Sequence, residues 1–206
     1  MTINRGLFAT DSETAAARWV QRKLGDSRHE RRVLAIAARL FELTRPLLAL
    51  ARSEYRLLRL GALTHDIGRS VDEKDHPAEG ARLIAGTTAL DLSPYDRRVL
   101  AFLAEHHRGD VPPIHKELHL GQADPRRPLR KVLGLLRVAD ALDSRQIAAP
   151  ELVFTLTGRK LRVRCLVEGD LAEAKAVFRR RKKFHLLESF LGTEISVEVE
   201  RDKVPA

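Results

Sequence analysis

The sequence predicts a mainly α protein, in which a helical bundle is followed by a small C-terminal α+β subdomain. Two patterns of apolar residues carry this prediction. From about Glu13 to Arg145 they recur at intervals of three and four residues, which is the period of an amphipathic helix. After Pro150 they alternate with polar residues, which is the period of a strand. With 206 residues, 44% of them hydrophobic, the chain is long enough to bury a core.

Short breaks divide the first part of the chain into helices. Asp26-Ser27 and Ser53 are typical N-caps and predict the starts of two helices, the second of which ends near Gly68. A further helix is predicted over 75–86. Each of these segments carries its apolar residues on one face, so we expect the faces to pack together.

The last two helices of this part flank a proline-rich stretch. Ser93-Pro94 opens the first of them, because serine is a good cap and proline is tolerated in the first turn. The stretch 109–128 contains four prolines and is predicted to be a loop. The row of leucines that follows predicts a final core helix from about Leu129 to Ser144.

The tail after Pro150 has the pattern of a small sheet. The segment LVFTLTGRKLRVRCLVEG alternates around a Thr-Gly pair, which predicts a hairpin. The segment ISVEVE predicts a third strand, and one charged helix is predicted between them over 170–190. The order is therefore strand, strand, helix, strand. We expect two domains, a helical domain over 1–148 and this subdomain over 149–206.

Composition and charge narrow the classes of function. Lys and Arg number 37 against 28 Asp and Glu, and the formal net charge of +9 favours anionic partners such as phosphates or nucleic acid. A solvated basic surface explains the same excess equally well. The single cysteine, Cys165, cannot form an internal disulfide, and the N-terminus lacks the pattern of a secretory leader, so we expect a cytoplasmic protein. A disordered, fibrous or membrane-spanning chain is excluded by composition.

Ionisable residues occupy the apolar faces of the predicted helices. Asp140, for example, interrupts the leucine row of the last helix. A buried carboxylate is unfavourable unless it is paired or binds a metal, and several on separate helices need a common cause. A cation in the bundle supplies one, although any single histidine could be an ordinary core residue. The candidate metal ligands are His29, His65, Asp66, His76, His106, His107 and Asp140.

The order of these residues resembles the HD superfamily of metal-dependent phosphohydrolases. The motifs that carry the resemblance are His65-Asp66 in LTHDIG, Asp140 in LLRVADALD, and the segments DHPAEGARLI and AEHHRG. The last two of these segments are similar to those of the superfamily members that bind two metal ions. The closest likeness is to the C-terminal HD domain of the exopolyphosphatase and guanosine pentaphosphate phosphatase family, through HDIG, HHR, LLRVADALDSR and FHLLESFLGTEISVEV. This implies an HD-type metal-binding domain over 1–148.

The resemblance implies a binuclear site in which Asp66 bridges the metals and a water between them becomes a hydroxide that attacks phosphorus. The residues implied for one metal are His29, His65 and Asp140. Those implied for the other are His76, His106 and His107. Asp66 and Arg69 are the catalytic candidates. The mixed ligands favour two divalent ions of manganese, iron, nickel or zinc over magnesium.

Several other polar residues receive a role or an alternative. Arg69, Lys74 and Arg108 lie beside ligands and are candidates to bind substrate phosphates, although ordinary solvated charge is an equal alternative. Asp143 either orients a ligand or caps the helix end. The basic run 179–183 is interpreted as a face of a surface helix. His115, His119 and His185 receive no role.

Two departures from the relatives limit the functional prediction. The paired actin-like domains that carry polyphosphate and pentaphosphate hydrolysis in the family have no counterpart in this sequence, so their activity is not transferred. After His107 the chain reads RGDVPPIH, without the GYP signature of the HD-GYP cyclic dinucleotide phosphodiesterases. A substrate other than a cyclic dinucleotide is therefore expected.

The sequence thus favours a metal-dependent phosphohydrolase acting on a nucleotide, a nucleoside polyphosphate or inorganic polyphosphate. Two alternatives stay open. The first is a non-catalytic regulator whose HD site binds an anionic nucleotide signal, and the second is a basic nucleic-acid-binding module. A homodimer is expected from the family resemblance alone.

Overall fold

The computed structural model of the chain describes residues 10–113 and 128–202 and is mainly helical, with a small sheet at the C-terminal end. The predicted fold class is confirmed. The helices before residue 150 are α1 (Asp11–Leu24), α2 (Arg28–Leu48), α3 (Arg52–Thr64), α4 (His76–Gly86), α5 (Pro94–His106) and α6 (Pro128–Leu142). The later elements are β1 (Glu151–Thr157), β2 (Lys160–Val167), α7 (Leu171–Phe178), α8 (His185–Leu191) and β3 (Ser196–Arg201). Short 3-10 turns cover Ile67–Ser70 and Arg181–Lys183.

The third helix, α3, is the centre of the bundle, since it packs against α1, α2, α5 and α6. All of its residues from Leu57 to Thr64 are buried. One of them is Arg59, whose guanidinium forms a two-point ion pair with Glu13 of α1, with Nε 2.7 Å from Oε1 and Nη2 2.8 Å from Oε2. This central helix therefore ends inside the bundle, and the residues that follow it start from a buried position.

The predicted helix boundaries hold to within a few residues. The helix predicted over 75–86 is α4, and the side chain of Ser93 caps α5 by accepting a hydrogen bond from the backbone N–H of Asp96 at 3.1 Å. Of the predicted Asp26-Ser27 cap, the Asp26 carboxylate accepts from the N–H of Arg28 at 3.0 Å at the start of α2, whereas the hydroxyl of Ser27 donates to the side chain of Gln21. The cap assigned to Ser53 is wrong. Helix α3 begins before Ser53, where the Glu54 carboxylate accepts from the N–H of Ala51 at 2.8 Å.

The sheet has the order β1-β2-β3, with an antiparallel first pair and a parallel second pair. The hairpin and the third strand are confirmed. Gly158 in the turn has φ 59°, a conformation that favours glycine and suits the Thr-Gly pair. Cys165 of β2 pairs with Leu152 of β1 and Val199 of β3, so the apolar positions of the three strands share one face.

The single helix predicted over 170–190 is wrong. The structure has α7, the 3-10 turn Arg181–Lys183 and α8, separated at Arg180, which is extended with φ −76° and ψ 90°. Five consecutive cations over 179–183 repel one another along a helix, which disfavours its continuation. Arg181 also donates to the backbone carbonyl of Ile195 at 2.8 Å, and this bond holds the turn against the end of the chain.

The C-terminal elements pack on the bundle mainly through α8, which lies against α6. A Cβ atom added to Gly134 would be 3.2 Å from the backbone nitrogen of Leu187, so glycine permits this close approach of the two helices.

The division of the chain into two domains between residues 148 and 149 stays a prediction. Most of the loop predicted over 109–128, with His115 and His119, lies outside the described residues. In the ranges that the structure describes, no helix has the length and apolar character needed to cross a membrane.

Gly68 gives a test of the packing between the turn after α3 and helix α4. A Cβ atom at Gly68 would lie 2.1 Å from the carbonyl oxygen of His76 and 2.4 Å from the nitrogen of Gly80. Because backbone atoms cannot rotate away, we expect Gly68→Ala to destabilise the protein by about 3 kcal/mol or more. The melting temperature should fall by about 6 °C or more. Gly86→Ala is the matched control, since its Cβ would meet nothing within 4 Å. Equal melting temperatures for the two variants would contradict this packing.

Cys165 gives a test of the sheet's inner face. Burial raises the pKa of its thiol to about 12, so the reactive thiolate is rare at pH 8, at roughly one part in 10⁴. We expect no reaction of the native protein with a disulfide thiol reagent at pH 8, and one thiol per chain after unfolding in guanidinium. Rapid labelling of the native protein would show that this face of β2 is open to solvent.

Candidate metal centre

Six of the seven predicted ligands meet in the bundle. They come from different elements because helix ends converge there: His29 lies in the first turn of α2, and His76 is the first residue of α4. Asp140 projects from the last part of α6. The six side chains, all buried, are His29, His65, Asp66, His76, His107 and Asp140. Their donor atoms form overlapping groups of three that lie within 4.8 Å of one another.

One oxygen of Asp66 faces three imidazoles. Its Oδ1 is 3.2 Å from Nε2 of His76, 3.2 Å from Nε2 of His107 and 3.7 Å from Nε2 of His65. One oxygen of Asp140 has a similar place on the other side of His65. Its Oδ1 is 3.7 Å from Nε2 of that ring and 3.3 Å from Nε2 of His29. Both carboxylates therefore take part in one continuous cluster.

Backbone carbonyls set the orientation of three rings. Nδ1 of His65 is 2.9 Å from the carbonyl oxygen of Ala62, and Nδ1 of His107 is 2.6 Å from that of Ala104. Nδ1 of His76 is 2.7 Å from the carbonyl oxygen of Glu73. A carbonyl oxygen only accepts, so Nδ1 donates in each case, and in the neutral form of each ring the Nε2 lone pair is directed into the cluster.

A carboxylate does the same for His29. Its Nδ1 is 2.7 Å from Oδ2 of Asp143, and Arg32 holds the other oxygen of that carboxylate with its Nε at 2.6 Å. Of the two roles predicted for Asp143, the geometry agrees with the orientation of a ligand. Such outer partners fix the direction and basicity of metal-binding histidines.

The donor set fits a divalent metal. Among the described residues, the buried Nε2 atoms of His29 and His65 have no hydrogen-bond partner. The Nε2 atoms of His76 and His107 lie 3.3 Å apart, although the carbonyl contacts leave a lone pair on each. Lone pairs that face one another are unfavourable unless a proton or a cation lies between them. Imidazole nitrogens and carboxylate oxygens are ligands that transition ions accept.

The charges of the cluster are strongly coupled. Burial by itself lowers the pKa of His29, but the neighbouring carboxylates of Asp140 and Asp143 outweigh burial and raise it to about 9. Burial lowers the pKa of His107 to about 4, in spite of its contact with Asp66. For Asp66 burial acts to raise the pKa, but the surrounding histidines hold it well below its usual range. The carboxylates therefore favour the charged form of His29, and the histidines favour the charged form of Asp66, at a place that little water reaches.

His106, the seventh predicted ligand, does not join the cluster. Its ring packs against the ring of Phe102 at 4.7 Å between centroids, and its Nε2 is 3.9 Å from the carboxylate of Glu105. Neighbouring residues near a helix end point about 100° apart, so His107 faces the cluster and His106 faces away.

A basic cavity of about 570 Å³ opens over the cluster, a size typical of sites for small molecules. His29, Asp66 and Asp140 form part of its wall. The cationic side chains that line it are Arg69, Arg108, Arg137, Arg145, Arg180, Lys182 and Lys183. Lys74 is exposed and is not among the lining residues.

Comparison with known proteins assigns the family. The family model described as Ppx/GppA phosphatase, domain III, matches residues 14–175, which is most of the chain. The chain belongs to the Ppx/GppA domain III family. This confirms the predicted likeness to the exopolyphosphatase and guanosine pentaphosphate phosphatases, whereas membership of the HD superfamily stays a prediction. No curated protein matches the chain.

The sequence interpretation missed two cations in this domain III site. Arg145, in the motif LLRVADALDSR, donates through Nη2 to Asp66 at 3.1 Å and to the buried Glu30 at 2.6 Å. Lys183 forms an ion pair with Asp140 through its Nζ. The run 179–183 was interpreted as a face of a surface helix, but one of its residues, Lys183, contacts the cluster. Glu30, next to His29, is a buried acid that needs a positive partner. This need was the signal that could have led to Arg145.

Arg137 holds the turn that carries His107. It is fully buried, and it donates to the carbonyl oxygens of His106 at 2.8 Å and Gly109 at 2.8 Å. Burial lowers the pKa of its guanidinium. These hydrogen bonds connect α6 to the end of α5. They therefore fix the position of His107, which lies between His106 and Gly109 in the chain.

We expect Arg137→Met to destabilise the protein by about 2–4 kcal/mol, because two backbone carbonyls lose a charged donor that is itself fully buried. Denaturant unfolding measures the change. Arg108→Met removes the same charge from an exposed neighbour and should change the free energy of unfolding by no more than about 0.5 kcal/mol. Similar losses in both variants would rule out a specific clamp at Arg137.

Proposed function

We propose that this chain is a metal-dependent phosphohydrolase that cleaves a phosphate ester or phosphoanhydride in a nucleotide, a nucleoside polyphosphate or polyphosphate. The observation that carries the proposal is the inward direction of the imidazole Nε2 atoms, set by their Nδ1 contacts, beside two buried carboxylates. The family is one of phosphatases, which supports the reaction class. The basic cavity over the cluster supports an anionic substrate.

In this proposal the cluster holds two divalent cations. The residues proposed for the first are His29, His65, Asp66 and Asp140. Those proposed for the second are Asp66, His76 and His107. When bound, such ions acidify water to a nucleophile and offset the negative charge on the phosphoryl oxygens. The ligand set is the predicted one without His106.

The arginines around Asp66 have separate tasks. Arg69 donates through Nε to Oδ2 of Asp66 at 2.8 Å and also pairs with Glu73, so it orients the carboxylate and leaves little of its guanidinium for substrate. Arg108 is exposed at the cavity and its Nη1 lies 3.4 Å from Nε2 of His76. It is therefore the side chain best placed to bind a phosphate next to the cluster. Lys74, outside the cavity wall, is not assigned this task.

Asp66→Asn tests the proposal. The substitution keeps the shape of the side chain but removes the charge that faces three imidazoles. We expect about two metal ions per purified wild-type chain and fewer than one in the variant, by elemental analysis after incubation with Mn²⁺. Phosphate release from a panel of nucleotides and polyphosphates should fall about 100-fold or more.

Asp91→Asn is the matched control, because it makes the same chemical change at an exposed carboxylate. It should keep the wild-type metal content and turnover. A wild-type chain that stays metal-free with Mn²⁺ and Fe²⁺ would overturn the proposal. A chain that binds metal and nucleotides but releases no phosphate from any compound would be the regulator considered above.

A further inference from the structure

The two buried carboxylates of the cluster each face in two directions. Their Oδ1 atoms face imidazoles, whereas their Oδ2 atoms face cationic side chains of the protein. Oδ2 of Asp66 lies 2.8 Å from Nε of Arg69 and 3.1 Å from Nη2 of Arg145. Oδ2 of Asp140 accepts from Nζ of Lys183. Positive charge from outside the cluster therefore reaches both carboxylates.

The partners of Asp66 are anchored by other acids, but the partner of Asp140 is not. Arg69 also pairs with Glu73, and Arg145 also pairs with Glu30. Within residues 10–113 and 128–202, the one ion pair of Lys183 is with Asp140. Its ammonium thus has fewer bonds to break if it leaves the carboxylate.

Exposure also differs across this ion pair. The Lys183 side chain is 26% exposed at the cavity, whereas that of Asp140 is 9% exposed. The lysine can extend into the cavity and be solvated there, but the carboxylate stays buried on α6. The backbone of Lys183 is held by its neighbours, since Phe184 is buried and Arg181 donates to the carbonyl of Ile195.

Asp140 needs a positive partner. Its side chain is only 9% exposed, and the one lysine ammonium that contacts it within the described residues is that of Lys183, which donates to Oδ2. A divalent cation in the cluster would provide the same compensation. The ammonium and that cation would also repel each other at short range in a medium of low dielectric constant.

We propose that Lys183 is the internal counterion of Asp140, which neutralises this carboxylate in the metal-free protein and competes with a divalent cation for it. The lysine thereby sets the affinity of the site for metal and is freed towards the cavity when metal binds. This inference rests on the proposed function, because it concerns the metal held by the same cluster. The family match, which ends at residue 175, does not include Lys183.

Lys183→Met tests the competition in the full chain, because methionine keeps much of the length and removes the charge. Titration calorimetry of the chelator-treated protein with Mn²⁺ should show a Kd about tenfold lower than that of the wild type. The melting temperature of the metal-free variant should fall by about 3–8 °C, since Asp140 loses its ammonium.

Lys182→Met is the matched control. It removes the same charge from the adjacent residue, whose Nζ pairs with the exposed Asp110 at 2.8 Å. Both the Mn²⁺ affinity and the metal-free melting temperature should stay at the wild-type values. If Lys183→Met binds Mn²⁺ as tightly as the wild type, or more weakly, the competition is overturned while the proposed function stands. If no variant and no wild-type chain binds Mn²⁺ or Fe²⁺, the proposed function fails and the inference fails with it.

A measurement on the wild type covers the case in which Lys183→Met does not fold. Reductive methylation followed by mass spectrometry reports the access of reagent to each ammonium. We expect Lys183 to be modified several-fold faster with saturating Mn²⁺ than in the metal-free protein. The modification rate of Lys182 should be the same with and without Mn²⁺. Equal rates for Lys183 with and without Mn²⁺ would overturn the inference, provided that calorimetry shows Mn²⁺ bound.

Discussion

The burial of two carboxylates, Asp66 and Asp140, inside an apolar bundle is the constraint on which the rest of the site depends. An isolated carboxylate in such a place is strongly disfavoured, so the fold must bring positive charge or metal to it. Four imidazoles lie on one side of the pair, and arginine and lysine side chains lie on the other. Helix ends that converge meet this need here, because they bring rings and long cationic side chains from separate segments to one place.

Helix ends also solve the problem of ring orientation. The last carbonyls of a helix have no intrahelical partner. His65 and His107 directly follow α3 and α5, and their Nδ1 atoms use the carbonyl oxygens of Ala62 and Ala104 three residues earlier. One hydrogen bond thus satisfies a terminal carbonyl and fixes the ring so that Nε2 faces the cluster. In the middle of a helix the carbonyl three residues earlier already accepts an intrahelical bond, which gives a physical reason for histidines of the cluster to lie at helix ends.

The sequence carried the fold class and most of the cluster because both depend on local periodicity. The leucine rows gave the helices, and the ionisable residues that interrupt them were the side chains that converge. Periodicity could not separate His106 from His107, since both lie at a helix end where a shift of one residue reverses which ring faces inward. It also could not find Lys183, which reaches Asp140 from 43 residues away and follows a break in the segment predicted as a single helix. Contacts made by the tips of long side chains depend on tertiary packing and leave no pattern in the sequence.

The cations on the outer oxygens change what metal binding means for this protein. In small zinc domains the metal supplies the free energy of folding, because the ligands have no other partner. Here the outer oxygen of each carboxylate already has an arginine or lysine partner, and His29 lies beside the carboxylates of Asp140 and Asp143, which raise its pKa to about 9. The bundle is therefore able to fold around its own charges, and a metal would enter by exchange with a proton on His29 and with the ammonium of Lys183. In an exchange of this kind the affinity reflects the difference between two compensated states. It can be tuned by one partly exposed lysine without any change in the buried residues of the cluster.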